Sequence, residues 1–158
     1  MGEVPDRTPI ETPCAPDLAL EITVLGPVLR IEEGEGYVVV TGADAGVTRN
    51  GAALDTWRVH RVAAGDTLAF AAPASGARAY LCVSGGFDVP LVIGSRSTYV
   101  RGRFGGHEGR ALRAGDVLRT GAPDVLWADS EGLALPVGLR PVRDASAPLR
   151  VEIGRAHV

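Results

Sequence analysis

The densest group of chemically active residue types lies in residues 94–110, which read GSRSTYVRGRFGGHEGR. The segment holds four arginines, five glycines, one histidine and several hydroxyl side chains. Arginine forks bind carboxylates or phosphates through paired hydrogen bonds, and glycines let a backbone approach a ligand and expose its N–H groups. The pattern therefore predicts a site for an anionic or carboxyl-type ligand. The alternative is a glycine-rich, solvent-exposed loop whose arginines are merely solvated or pair with Asp88, Glu108 and Asp116.

The hydroxyl groups of Ser95, Ser97 and Thr98 are candidate nucleophiles by residue type alone. No G-x-S-x-G elbow surrounds them, and neither His60 nor His107 belongs to a motif that ties it to a serine. The sequence therefore disfavours a serine-hydrolase triad. It favours hydroxyl groups that orient a substrate or cap a turn.

Three further candidates depend on where their side chains point. Arg78 precedes the apolar run AYLCVSGG and either reaches a pocket or pairs locally. Asp44, in the turn string TGAD, is a candidate general acid or base if it faces a cleft, although an aspartate in a glycine turn is usually structural. The ring of Tyr99 either anchors the loop or forms a platform for a substrate.

The composition excludes several classes of function. All 16 basic residues are arginine, so a Schiff-base lysine and a P-loop lysine are both excluded. A formal charge of −3 gives no basic footprint for nucleic acid. Cys14 and Cys82 are isolated, which predicts neither a zinc site nor a disulfide framework and fits a reducing cytoplasm. We expect no metal.

Hydropathy and the N-terminal sequence point away from membranes and export. The aliphatic stretch at residues 37–40 is far shorter than the roughly 18 residues that a membrane helix needs. The acidic, proline-bearing start does not match a signal peptide. We therefore expect a soluble cytoplasmic protein that does not bind a membrane.

The elements that must hold these residues are short strands. Glycine and proline supply 21 and 11 of the 158 residues, too many breakers for a helical bundle. From Leu18 onward, short apolar runs alternate with turn residues, which predicts a mainly β fold. Residues 37–40 and 79–83 are continuously apolar, as in strands covered on both faces. The apolar positions from Ile22 through Val24 and Val28 to Ile31 predict one buried face.

Two segments echo one another along the chain. The string AAGDTL at residues 63–68 recurs as RAGDVL at residues 113–118. Each copy predicts a turn that feeds a strand, with glycine at a positive φ and aspartate bonding to nearby backbone. A common turn used twice explains the echo at least as well as a duplication.

Longer strings resemble a known family. LEITVLGPVL (20–29), TGADAGVTRNG (41–51) and the run RAYLCVSGG…GSRSTY…GGHEGRALRAGDVL (78–118) are similar to the biotin-dependent carboxyltransferase family that includes the C subunit of prokaryotic ATP-dependent 5-oxoprolinase. The resemblance runs almost unbroken over residues 20–121. It implies a cyclophilin-like β-barrel architecture, in agreement with the predicted strands.

The resemblance also predicts an incomplete domain. The family's N-terminal strings are not found before Leu20, and the final string EIGRAHV matches the translation of a widely used sequencing-library adapter. We expect a flexible proline-rich lead-in over residues 1–17, a partial carboxyltransferase-type domain over residues 18–151, and adapter read-through over residues 152–158. Such a fragment of a longer gene is expected to be inactive alone.

The family's activities supply the functional expectations. A 5-oxoprolinase of this type opens the lactam of 5-oxoproline to glutamate, with ATP used by an assembly that also contains A-like and B-like 5-oxoprolinase proteins. Its urea-processing relatives instead transfer a carboxyl group from carboxybiotin to urea, and biotin enters only in that alternative. A third relative is a non-catalytic antagonist of a kinase inhibitor. In each enzymatic case the substrate is a small amide or lactam.

The density of the motif and the charges of its residues suggest roles for individual residues toward such a substrate. Arg96, the leading catalytic candidate, together with Ser95, Ser97 and Thr98, would hold the amide or carboxylate of the substrate. Gly105 and Gly106 would present N–H donors to a developing oxyanion. Arg78 and Tyr99 complete the predicted substrate contacts, and Asp44 is the second catalytic candidate.

Overall fold

Short antiparallel strands joined by glycine turns build the part of the chain that the computed structural model describes, residues 19–122 and 129–141. The strands are β1 (Ala19–Thr23), β2 (Val28–Arg30), β3 (Glu35–Asp44), β4 (Thr48–Arg49), β5 (Ala52–Ala53), β6 (His60–Ala63), β7 (Thr67–Ala69) and β8 (Ser75–Val83). One 3₁₀ turn, Val137–Leu139, follows within the described residues. The predicted lead-in, the adapter-like string and the two ends of the predicted domain lie outside these residues.

The strands form two four-stranded sheets. One has the order β1-β8-β3-β6 and the other the order β2-β7-β4-β5, and all the pairs are antiparallel. The long strands β3 and β8 lie at the centre of the first sheet, with Val40 opposite Leu81 and Val38 opposite Val83. Within the described residues neither sheet closes on itself. The predicted mainly β class is therefore confirmed.

The core lies on one face of the central strands. Val38, Val40, Ala79 and Leu81 are buried, whereas the residues between them are only half-buried. The apolar runs on β3 and β8 thus bury one face fully and the other in part. The buried cluster consists of Ile22, Val38, Val40, Ala45, Val47, Val62, Leu68, Phe70, Ala79 and Leu81.

The predicted buried face around β1 and β2 is only partly correct. Ile22 is buried, but Val24 and Val28 are 57% and 71% exposed. β1 ends at Thr23, and Val24 takes a left-handed φ of 63°, which interrupts the two-residue alternation that would have turned it inward. A change of direction at a turn overrides the pattern of apolar positions.

The repeated turn has the same geometry in both copies. Asp66 and Asp116 each accept a backbone N–H bond from the residue three positions earlier, at 2.9 Å from Ala63 and 2.7 Å from Arg113. Gly65 and Gly115 have φ values of 92° and 91°. The first copy leads into β7, as predicted. No strand follows the second copy within the described residues, so that part of the prediction is wrong.

The arginine loop, residues 87–120, leaves the first sheet after β8 and returns to the same corner. An isolated bridge pairs Phe87 with Thr120, and the Asp88 N–H donates to the Arg119 carbonyl at 2.8 Å. The short apolar runs of this loop, VPLVIGS among them, do not form strands: the described residues form isolated bridges and turns there instead. The loop contains the whole of residues 94–110.

Candidate functional site

A tight turn opens the site. Val92 and Ser95 exchange two backbone hydrogen bonds, at 2.8 and 3.1 Å, across Ile93 and Gly94, which both have positive φ. Two left-handed residues between bridged partners are typical of a type I′ hairpin turn. The Ser95 hydroxyl accepts the N–H of Ser97 at 3.1 Å. Ser95 therefore caps the turn, one of its two predicted roles.

Arg96 is half-buried, and its guanidinium uses only some of its hydrogen-bond donors. Its guanidinium donates one hydrogen bond, to the carbonyl of Val89, which ties the two arms of the turn together. The other described residues place no carboxylate within 4 Å of it and no other acceptor in bonding geometry. Since a guanidinium carries five N–H donors, enough remain to bind a carboxylate through two parallel bonds.

Gly105 and Gly106 are buried directly against residues 97–98. A Cβ at Gly105 would lie 2.2 Å from the Ser97 carbonyl oxygen, and one at Gly106 would lie 1.8 Å from the Thr98 hydroxyl oxygen. Their φ values are 73° and 50°, in the left-handed region. The close approach therefore requires glycine at both positions. It also places the hydroxyl group of Thr98 beside this pair of peptides.

Within the described residues, neither the Gly105 N–H nor the Gly106 N–H reaches an acceptor in hydrogen-bonding geometry, although both residues are buried. Buried backbone N–H groups without a partner are rare in folded proteins. Two adjacent donors of this kind form an arrangement that can bind an anion or the oxygen of a polarised carbonyl.

A charged network closes the C-terminal end of the loop. Arg110 donates to both carboxylate oxygens of Asp116, at 2.7 and 2.9 Å, and to Glu108 at 2.6 and 2.9 Å. The hydrogen bonds from Arg110, and then the Arg113 N–H, hold the pKa of Asp116 well below its usual range. His107 Nε2 lies 3.7 Å from the same carboxylate. Arg110 thus follows the alternative of internal pairing, whereas Arg96 does not.

The tip of the loop is an aromatic hairpin, residues 99–104. Tyr99 and Phe104 are bridged, with the Tyr99 N–H donating at 2.9 Å, and their ring centroids lie 5.2 Å apart. Tyr99 is 53% exposed. The anchoring role predicted for this ring is therefore observed, while a contact with substrate stays a prediction.

The other two candidates lie on the first sheet. Arg78, on β8, pairs with Glu21 on the neighbouring β1 at 3.1 Å, which is the local pairing considered above. Asp44 ends β3 beyond a register shift, and is part of the strand rather than of a separate turn. It lies opposite Ser75, at the other end of the β3–β8 ladder from Val83, after which the arginine loop begins. Contacts within the described residues do not join either side chain to the loop.

A depression outside the arginine loop is lined by apolar residues: Ile22, Val24, Ala43, Ala45, Ala71, Pro73, Ala77 and Ala79. Among the described residues, no group of three or more histidine, cysteine, aspartate or glutamate side chains is placed to hold a metal. The described helical structure contains nothing long and apolar enough to cross a bilayer.

Comparison with known proteins identifies the family. The family model for the carboxyltransferase domain, subdomain A and B, matches residues 15–157 of the chain. The chain belongs to this carboxyltransferase family. The match contains the whole arginine loop, so the turn, the paired glycines and the closing network are parts of a carboxyltransferase-family fold.

Curated relatives have two different names. The chain is 37% identical over 139 residues to the 5-oxoprolinase C subunit of Escherichia coli, a match that covers 87% of the chain and 44% of that protein. It is 36% identical over 116 residues to urea amidolyase of Lachancea kluyveri, covering 73% of the chain and 6% of that protein. The chain thus spans less than half the length of each of these relatives.

A solved structure supports the fold. The K. lactis urea amidolyase is similar with a TM-score of 0.71 and 37% identity, over 80% of this chain and 8% of that chain. At this level of identity the similarity extends beyond the general architecture. The family resemblance expected from the sequence is therefore confirmed.

Sequence reasoning missed two features of this carboxyltransferase-family site. It did not identify the Val89 carbonyl as the partner that orients Arg96, because a backbone acceptor leaves no trace in residue types. It also missed the aromatic hairpin at residues 99–104. The sequence signal for the hairpin was a glycine, Gly102, placed between the aromatic residues Tyr99 and Phe104. The structure shows why glycine is needed there: a Cβ would lie 2.4 Å from the Tyr99 ring and 2.6 Å from the Phe104 ring.

Proposed function

We propose that this chain is the C-type component of a prokaryotic ATP-dependent 5-oxoprolinase, a cytoplasmic assembly that opens the lactam of 5-oxoproline to glutamate. One observation carries the proposal: the match to the E. coli 5-oxoprolinase C subunit extends over 87% of this chain at 37% identity and spans 44% of that relative. The proposal makes the chain one part of an assembly with A-like and B-like subunits. It is expected to be inactive without them.

The chemistry of the substrate matches the groups in the arginine loop. 5-Oxoproline carries a carboxylate and, in its ring, a lactam. The unused donors of Arg96 suit the carboxylate, because a guanidinium fork binds it through two parallel bonds. The unpaired N–H groups of Gly105 and Gly106 suit the lactam oxygen, on which negative charge develops during ring opening. The Thr98 hydroxyl, beside Gly106, adds a neutral donor.

The remaining predicted residues receive positioning roles or stay open. Ser95 caps the turn and Ser97 supplies the carbonyl against Gly105, so both shape the loop that carries Arg96. Asp44 and Arg78 stay candidates for contact with substrate in the complete assembly.

The chain has no lysine, which excludes a P-loop nucleotide site within it. We therefore assign the ATP-dependent step to the partner subunits. For the same reason a biotin-bearing lysine, required in the alternative below, would have to lie outside these 158 residues.

A second candidate function is the transfer of a carboxyl group from carboxybiotin to urea or a similar amide. The observation that favours it is the TM-score of 0.71 to K. lactis urea amidolyase. Urea has no carboxylate, so in this alternative Arg96 would bind the carboxyl group that is being transferred. The N–H pair would then bind the amide oxygen of urea.

Turnover by the assembled complex tests the proposal. The full-length gene product would be combined with its A-like and B-like subunits, and ADP and glutamate would be measured with 5-oxoproline as substrate. Release of both products is expected. ATP turnover with urea and none with 5-oxoproline would replace the proposal by the carboxyltransferase function. A stable complex that is silent with both substrates would instead favour the non-catalytic antagonist.

A matched pair of variants tests the role of Arg96. Arg96→Ala removes the guanidinium that would bind the carboxylate, and turnover should fall about 10–100-fold, as for the loss of a charge-assisted hydrogen bond. Arg119→Ala removes an exposed arginine of the same loop that makes no side-chain bond within the described residues, and turnover should stay unchanged. Equal activity of both variants in an intact complex would remove Arg96 from the site.

A further inference from the structure

The hairpin at residues 99–104 is a firmly built projection. Tyr99 and Phe104 are bridged at its base, and their rings pack at 5.2 Å between centroids. Both rings lie over Gly102, where any side chain would collide with them. Arg103 has a left-handed φ of 57° and its N–H donates to the Val100 carbonyl at 3.3 Å. The side chains at the tip are therefore presented from a defined turn.

The charges at the tip are uncompensated. Arg101 and Arg103 are exposed, and within the described residues neither guanidinium makes a hydrogen bond or an ion pair. Six other described arginines pair with carboxylates: Arg30, Arg49, Arg58, Arg61, Arg78 and Arg110. Residues 89–107 contain three arginines and no acidic residue. The hairpin is thus a local positive projection on a chain whose formal charge is −3.

Apolar surface accompanies these charges. Val100 is 56% exposed and Phe104 is 41% exposed, while Leu91 and Ile93, on the preceding turn, are 64% and 89% exposed. Arginine and aromatic residues are enriched in the energetically important parts of protein–protein interfaces, where lysine and glutamate are depleted. Residues 99–104 contain two arginines and two aromatic residues, and neither lysine nor glutamate.

We propose that the hairpin at residues 99–104 docks this chain onto an acidic surface of a partner subunit, with carboxylates facing Arg101 and Arg103 around an apolar recess that receives Val100. The inference rests on the proposed function, which supplies the A-like and B-like subunits as partners. Charge complementarity selects a protein surface. An anionic bilayer is recognised by clusters of about four to eight basic residues, which the tip does not have, and the net charge opposes nucleic acid.

Binding measurements on the full chain test the proposal. Affinity for each purified A-like and B-like subunit would be measured by biolayer interferometry, at low and at moderate salt. The double variant Arg101→Gln/Arg103→Gln should bind roughly tenfold more weakly than the wild type and with a smaller salt dependence. Arg113→Gln/Arg119→Gln is the matched control: it removes two exposed arginines of the same loop whose side chains make no bond within the described residues, and it should change affinity by less than about twofold.

A second variant tests the apolar part of the contact. Val100→Glu adds a negative charge to an exposed position and leaves the bridged base of the hairpin intact, so it should fold like the wild type by circular dichroism. Because its carboxylate would enter an apolar recess surrounded by carboxylates, it should weaken binding by more than about tenfold.

The outcomes separate this inference from the proposed function. If the wild type binds either of the two proteins, and both hairpin variants bind it equally well, the docking role is wrong while the assembly proposal stands. If the wild type binds neither of them, the assembly proposal itself fails, and the assigned partner with it. Vesicles of phosphatidylserine and phosphatidylcholine serve as a second binding probe. If the double arginine variant loses binding to the vesicles but binds both subunits as the wild type does, the surface recognises lipid and the protein-docking role is overturned.

Discussion

Placing a methyl group at Gly105 should destabilise the arginine loop by an amount that can be worked out from the geometry. The substitution Gly105→Ala puts a Cβ 2.2 Å from the Ser97 carbonyl oxygen, a backbone atom that cannot rotate away. It also forces an L-residue to a φ of 73°. The left-handed conformation costs about 1–2 kcal/mol, and overpacking adds about 1–3 kcal/mol.

Gly34 provides a control that isolates the contact. Its φ is 72°, and nothing lies within 4 Å of the position a Cβ would take. Gly34→Ala should therefore cost only the conformational part, about 1–2 kcal/mol. The two variants share a backbone conformation and differ in available space, so the difference between them measures the packing of the loop against residues 97–98.

Two assays together report the effect. Urea unfolding followed by circular dichroism gives the free energy of unfolding, and trypsin cleavage after Arg101 and Arg103 reports opening of the loop itself. Gly105→Ala should accelerate cleavage at these arginines well beyond Gly34→Ala. If both variants show the same unfolding free energy and the same cleavage rate, the close approach of Gly105 to Ser97 is refuted, and with it the geometry of the N–H pair.

Two further predictions concern buried hydrogen bonds and pH. Ser84→Ala removes the buried hydroxyl that accepts the Tyr37 N–H at 2.9 Å, so the free energy of unfolding should fall by about 1–3 kcal/mol. The control, Ser75→Ala, changes an exposed serine and should leave the free energy of unfolding within about 0.5 kcal/mol of the wild type. Equal effects of the two variants in urea unfolding would show that the bond from Tyr37 to Ser84 does not stabilise the fold. Arg110 holds the pKa of Asp116 below its ordinary value, so the pair should stabilise the fold above about pH 4 and lose that contribution as the pH falls further. Asp116→Asn should lower stability at neutral pH and weaken the acid dependence of the urea midpoint; an unchanged acid dependence would contradict this assignment.

The sequence predicted the sheets better than the loop, for a physical reason. Continuous apolar runs are typical of strands that are covered by other parts of the fold, so the strands that contain Val38, Val40 and Leu81 could be identified from residue types alone, although one of their two faces is only partly buried. The repeated AGD turn was also predictable, because its glycine and aspartate act on their own backbone. Where a turn redirected the chain, as at Val24, the same pattern failed.

The candidate site could be located from composition but not resolved into roles. The density of arginine and glycine indicated residues 94–110, yet the sequence could not distinguish Arg110, which is internally paired, from Arg96, which keeps free donors. Partners of an arginine are set by the path of a loop, and that path depends on backbone contacts such as the one between Gly109 and Gly105. The different roles of Arg96 and Arg110 can therefore be assigned only when the positions of the backbone carbonyl and N–H groups are known.

The common anchor of the arginine loop makes that segment separable from the sheets. The Gly121 N–H donates to the Gly86 carbonyl at 3.1 Å, next to the bridge between Phe87 and Thr120. These hydrogen bonds hold the first and last residues of the loop close together. A segment whose ends are held together can lengthen at a small entropic cost, about 0.6 kcal/mol for each doubling. Between such proteins the loop could be transplanted as a cassette, which would let ligand preference diverge while strand order and register are inherited unchanged.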